Sequence, residues 1–161
     1  MAGFFTRDRK AGFIIYPLGD AIAQLLLGEI SPARILVLSA VGGMVYAFEI
    51  PKWFSYIESR FSKHWFKTIA AIIYFNPLWI ARHLFFISVA LNPSMLTNVH
   101  MLSDAVWKCL LMGTKSFAGA IILSLIGNYI SQNVIGLRHR FMASSVFSGL
   151  MAIYYALSVI L

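Results

Sequence analysis

A chain of 161 residues that is 60% hydrophobic and only 12% charged departs from a soluble domain, which carries about 45–50% apolar and about 25% charged residues. Its length fits one compact helical membrane domain, with no room for a separate soluble one. The net charge of +7, from 13 Lys and Arg against 6 Asp and Glu, gathers in short connectors as the positive-inside rule expects; no basic stripe with interleaved aromatics points to nucleic acid.

The first apolar run, residues 12–29 (GFIIYPLGDAIAQLLLGE), follows Arg7, Arg9 and Lys10. Ala21-Ile22-Ala23 imitates a signal-peptide cleavage site, but Pro17 and Asp20 would interrupt the apolar region, and nothing downstream reads as a soluble mature domain. The run is therefore read as a retained membrane helix. Asp20 near its centre would cost roughly 2.5–3.5 kcal/mol against lipid, so it is expected to face protein or water. Gln24, one turn later on the same face, completes a polar stripe.

Ser31-Pro32 supplies a turn and a cap for the second span, which starts near Arg34 and ends at about Tyr46 to Phe48. Ser39 and Gly43 form a pair of small residues that lets another backbone approach. Glu49 and Pro51 mark a kink or an exit, and Lys52, Trp53 and Tyr56 read as interfacial anchors. The next connector is the most basic, with Lys52, Arg60, Lys63 and Lys67 against Glu58. The third span, residues 68–91, is interrupted by Asn76-Pro77 and carries Arg82-His83 midway. An Arg at that depth must snorkel, pair or line water, which makes Asp20 its expected counter-charge.

Residues 92–104 form a polar turn without a basic residue, and residues 105–115, with Trp107, Lys108 and Lys115, fit a helix lying along the interface. The uncharged run 116–137 is long enough to cross; Arg138-His139-Arg140 interrupts, and the uncharged run 141–161 follows, with Ser145/Gly149 and Ser148/Ala152 as a second close-packing face. Positive connectors alternate with neutral ones. The expected fold is thus all-α: a polytopic transmembrane helical bundle in a single domain, 1–161, with five spans, or four if one of the last two runs does not cross.

Several of these residues together resemble the family of the 22-kilodalton peroxisomal membrane protein and its mitochondrial inner-membrane relatives. They are Gly19-Asp20 with Gln24, Arg34 with Gly42 and Trp53-Phe54, Lys67 with Pro77, and Arg140 followed by Leu157-Ser158. The likeness covers about residues 12–158 and is that of a divergent member, since Ala71-Ile72 and Ser124-Leu125 replace the family's Asp-Gln and Trp-Pro. It implies a small multi-pass protein of a peroxisomal or mitochondrial inner membrane, with channel-like permeability to small solutes.

No catalytic motif is present: there is no Gly-x-Ser-x-Gly, no His-Glu-x-x-His and no phosphate-binding glycine loop, so an enzyme is not expected. His64, His83, His100 and His139 are scattered, and Cys109 is the single cysteine, so neither a metal site, a cofactor nor an internal disulfide is expected. The candidate pore or midplane polar residues are Asp20, Gln24, Asn76 and Arg82; the candidate packing residues are Ser39, Gly43, Ser145 and Gly149. A channel or solute-permeability protein is the leading expectation, and a non-catalytic membrane scaffold or assembly subunit the alternative. Expected partners are the lipid bilayer, further copies or other membrane proteins, and small solutes, but no nucleic acid.

Overall fold

Thr6 opens the first helix of a computed structural model that describes residues 6–160, apart from the side chains of residues 74, 75 and 155–160. The described residues form helices and turns and no strand, so the all-α expectation holds. Helix α1, Arg7–Leu26, starts where the Thr6 hydroxyl accepts a hydrogen bond from the Arg9 amide at 3.3 Å. It ends in a turn in which Gly28 takes a φ of 74°, a conformation that favours glycine. Ser31 caps α2, Pro32–Ala40, by accepting from the Arg34 amide at 3.4 Å, and Pro32 occupies the first turn, where its missing N–H is harmless.

From α2 the chain passes through a π-helical turn, Val41–Tyr46, into α3, Ala47–Arg60. Of the kink or exit expected at Glu49 and Pro51, the exit does not occur: the helix runs on to Arg60. Ile50, Phe54 and Ile57, spaced i, i+4, i+7, are all buried. The single domain read from the sequence is organised as two compact units, Met1–Ser55 with Gly136–Leu161, and Tyr56–Ile135.

In the first unit α1 lies between the α2 rod and α7, Leu137–Ile160. Its buried residues Gly12, Tyr16, Gly19, Asp20, Ala23 and Gln24 follow the helical period and make one face. Phe13 opposite Ser39 and Asp20 opposite Arg34 make the rod antiparallel to α1. Arg7 beside Met142 and Gly19 beside Gly149 make α7 parallel to it. Both crossings bring backbone against backbone: Gly12 against Gly42, and Gly19 against Gly149. Tyr16 fills the space between, its ring 4.9 Å from that of Tyr46 and 6.5 Å from that of Phe141.

In the second unit α4, His64–Leu91, is the long axis. A 3₁₀ turn, Pro93–Thr97, leads to α5, Val99–Gly119, which Asn98 caps by accepting from the amides of His100 and Met101. After Ala120 come α6, Ile121–Tyr129, and a second π-helical turn, Ile130–Val134. Ser88 beside Cys109, Gly113 against Pro77 and Ala81, and Thr68 beside Asn133 show α5 and then α6 running antiparallel along α4. The bounds expected for the helix 105–115 and the run 116–137 are corrected here. The helix already under way at Val99 continues to Gly119, and the axis then bends by 77° inside the expected span. Gly119, a weak helix former, stands at the break.

Two helices are long and apolar enough to cross a membrane, Pro32–Arg60 and His64–Leu91; the bent pair Val99–Gly119 with Ile121–Val134 makes a third if taken as one span. Five such helices are not found among the described residues. α1 carries Arg9, Lys10 and Asp20 within its length, and the run 141–161 ends in side chains outside those described. In the two long helices only 39% and 19% of the most apolar stretch is buried.

The glycine crossings are unequal. A Cβ on Gly12 would overlap the Gly42 carbonyl, and one on Gly19 would lie 2.6 Å from the Gly149 Cα, but one on Gly149 would meet the Gly19 Cα at an ordinary 3.5 Å. In detergent melts Gly12→Ala and Gly19→Ala should each destabilise by about 1–3 kcal/mol, the usual cost of overpacking. Gly149→Ala should melt close to the parent.

Candidate functional site

The polar stripe of α1 is closed by its own hairpin. Asp20 lies in the penultimate turn of α1 rather than at its middle, because the helix already starts at Arg7 and ends at Leu26. With Asp20 3% and Gln24 1% exposed, both side chains are removed from solvent. Arg34 Nη2 donates to Asp20 Oδ1 at 2.5 Å, and Gln24 Nε2 donates to Asp20 Oδ2 at 2.5 Å. The other end of the Gln24 amide accepts from the Ser31 amide at 2.6 Å. One carboxylate and one carboxamide thereby tie α1, the turn and the first turn of α2 together.

The expectation that Arg82 would neutralise Asp20 is corrected: the partner is Arg34, fourteen positions along the chain. A short turn folds α2 back along α1, so residues on either side of it face each other, whatever their apparent depth in separate spans. Chemically the cluster is a lock. Charge is balanced, each carboxylate oxygen holds a donor, and removing one member would strand the other in a low-dielectric interior.

The second unit carries a polar seam of a different kind. Thr68 on α4 is fully buried, donates to the His64 carbonyl at 3.1 Å and accepts from Asn133 Nδ2 at 2.9 Å. The same Asn133 amide nitrogen donates to the Tyr129 carbonyl at 3.1 Å, while its buried Oδ1 accepts no hydrogen bond. Further along, Asn128 Nδ2 donates to the Ser124 carbonyl at 2.8 Å and lies 3.5 Å from Asn76 Oδ1. Asn76, Asn128 and Asn133 are all half-buried. The seam holds hydroxyls and amides and no ionisable group.

The remaining candidates are placed as follows. Arg82 is half-buried on α4, and His83 stacks on Trp79 with ring centroids 5.0 Å apart. Ser39 Oγ donates to the Phe13 carbonyl at 2.9 Å, and Gly43 lies under the Phe13 ring. Ser145 is fully buried, its hydroxyl turned back to the Phe141 carbonyl at 2.8 Å, and Gly149 faces Gly19. Among the described residues no group of three or more His, Cys, Asp and Glu is gathered that would hold a metal ion.

Sequence reasoning missed Arg34 as the ion-pair partner and the three polar residues Thr68, Asn128 and Asn133. A signal for Arg34 was present, since Gly28 and Ser31-Pro32 announce a tight turn that folds the segment carrying Arg34 back toward Asp20. The seam had none, because the π-helical turn that carries Asn133 shifts the register of its helix.

Comparison with family models, with curated proteins and with solved structures gives no match to this chain.

The lock predicts a non-additive double-mutant cycle. Asp20→Asn or Arg34→Gln alone should cost about 3–5 kcal/mol of stability, and the double variant should recover part of that loss. Asp20→Asn combined with Arg82→Gln should be additive in the same detergent melts.

Proposed function

We propose that the chain is a multi-pass membrane protein of the channel-like, solute-permeability type, akin to the peroxisomal and mitochondrial inner-membrane family that its sequence resembles. The single observation that carries this reading is the amide seam of the second unit. Within it the buried Asn133 side-chain carbonyl has no donor, an unmet group that costs about 1–3 kcal/mol. A passing water or polar solute would complete it. Membrane residence is supported by the outward apolar faces of Pro32–Arg60 and His64–Leu91, which in water would remain uncovered.

Five crossings remain our proposal for the topology: α1, the Pro32–Arg60 rod, α4, the bent pair and α7. Pairing with Arg34 supports the inclusion of α1, since a neutralised Asp20 no longer opposes insertion. A seam of neutral donors and acceptors without a charged ring favours small uncharged hydrogen-bonding solutes over ions. A peroxisomal or mitochondrial inner membrane is the location we propose, on the sequence likeness alone.

A scaffold or assembly subunit is the second reading, favoured by the two glycine crossings of the first unit, which suit a rigid packing body. Flux of a small polyol through proteoliposomes separates the two. Under the channel reading, Asn133→Leu should lower the flux about tenfold, equivalent to ~1.4 kcal/mol. Under the scaffold reading the parent shows no flux and co-purifies with other membrane proteins.

The topology is tested by cysteines placed at the exposed Ser62 and Asn98, in a Cys109→Ala background. They flank α4 and should label from opposite sides of the membrane. Labelling of both from one side would remove α4 as a crossing helix.

A further inference from the structure

The turn joining α3 to α4 belongs neither to the lock nor to the seam, yet it concentrates charge and exposed aromatics. Within the second unit Arg60, Lys63 and His64 are exposed, and so are Tyr56 at 51%, Trp65 at 63% and Phe66 at 53%. Lys63 Nζ lies 5.8 Å from the Phe66 ring centroid. Residues 56–67 contain one acid, Glu58, and its carboxylate is engaged by Lys67 at 2.7 Å. That bridge joins the end of α3 to the start of α4. It leaves the cations at the tip of the turn without a neighbouring counter-charge from their own segment.

Exposed aromatics beside cations at the mouth of a long apolar helix match the chemistry of one boundary. Rings with a polar edge settle at the headgroup level, and Lys and Arg next to them meet phosphate oxygens. Anionic headgroups attract such basic segments by about 1 kcal/mol per charge, and the attraction fades within a Debye length. A zwitterionic surface offers no comparable gain.

We infer that the α3–α4 turn, through Arg60 and Lys63 flanked by Tyr56, Trp65 and Phe66, is a docking surface for anionic lipid headgroups. The inference rests on the membrane residence proposed above and adds a lipid preference at one defined turn. The turn then anchors the second unit to the leaflet on its side and fixes the depth at which α4 enters.

The full chain, reconstituted in mixed vesicles of phosphatidylcholine and phosphatidylglycerol, is floated on a density gradient, re-extracted, and its retained lipids are counted by class. The parent should retain phosphatidylglycerol in excess of its share in the vesicles. Arg60→Gln and Lys63→Gln should each reduce that excess about fivefold, the factor equivalent to ~1 kcal/mol per charge. Arg60→Lys should preserve it, and so should Lys115→Gln, which removes an equal charge from an exposed position on α5. Parent protein that fails to float overturns membrane residence and this inference together. Protein that floats without phosphatidylglycerol enrichment overturns the inference alone. An equal loss for Lys115→Gln and Arg60→Gln does the same, because net charge would then account for the preference.

Discussion

A buried carboxylate held by an arginine across a tight turn sets the register of the first unit. Asp20 and Arg34 fix how far α2 slides along α1, and Gln24 pins the turn between them through the Ser31 amide. That register brings Gly42 opposite Gly12 and places Ser39 and Gly43 around Phe13. A slip of one residue would rotate the rod by about 100° and, where it brings Val41 opposite Gly12, drive a side chain into that backbone. Buried ion pairs are weak sources of net stability but strong arbiters of alternatives, because the wrong register leaves a charge unmatched. The pair thus selects the contacts, and dispersion between closely approaching backbones supplies the cohesion.

The second unit is held by other means. Its long helix contains Pro77, which donates no backbone hydrogen bond, and Gly113 lets α5 press against the backbone at Pro77 and Ala81. Beyond the 77° bend the contacts turn polar, through Ser124, Asn128, Asn133 and Thr68. Both π-helical turns sit at such places of special demand. One carries the glycines that α1 crosses; the other carries Asn133. A π turn inserts an extra residue into the helical repeat and so redirects the side chains that follow.

Much of the fold was legible in composition and local chemistry. The helical class, the Ser31-Pro32 cap, the Asp20 and Gln24 pairing along one face and the small residues near Phe13 all follow from spacing that extends over one or two turns. What escaped involves distance or a change of repeat. Arg82 was assigned to Asp20 by comparing depths in two straight spans, whereas a five-residue connection between α1 and α2, residues 27–31, already determined that Arg34 would arrive first. The bend at Ala120 lies in an uncharged stretch that hydropathy alone reads as continuous. Asn133 could not be paired with Thr68 from the sequence, because a straight α-helix would have pointed it elsewhere.

The first unit is assembled from the two ends of the described chain, while the second is a single contiguous stretch between them. During synthesis at about 5–20 residues per second, α7 follows α1 by on the order of ten seconds. For that interval the hairpin can close its ion pair, but the Gly19 face of α1 has no α7 to meet. The contiguous unit has time to complete itself meanwhile, since all its partners are already made. Docking of α7 is then the late, long-range step in the assembly of the first unit.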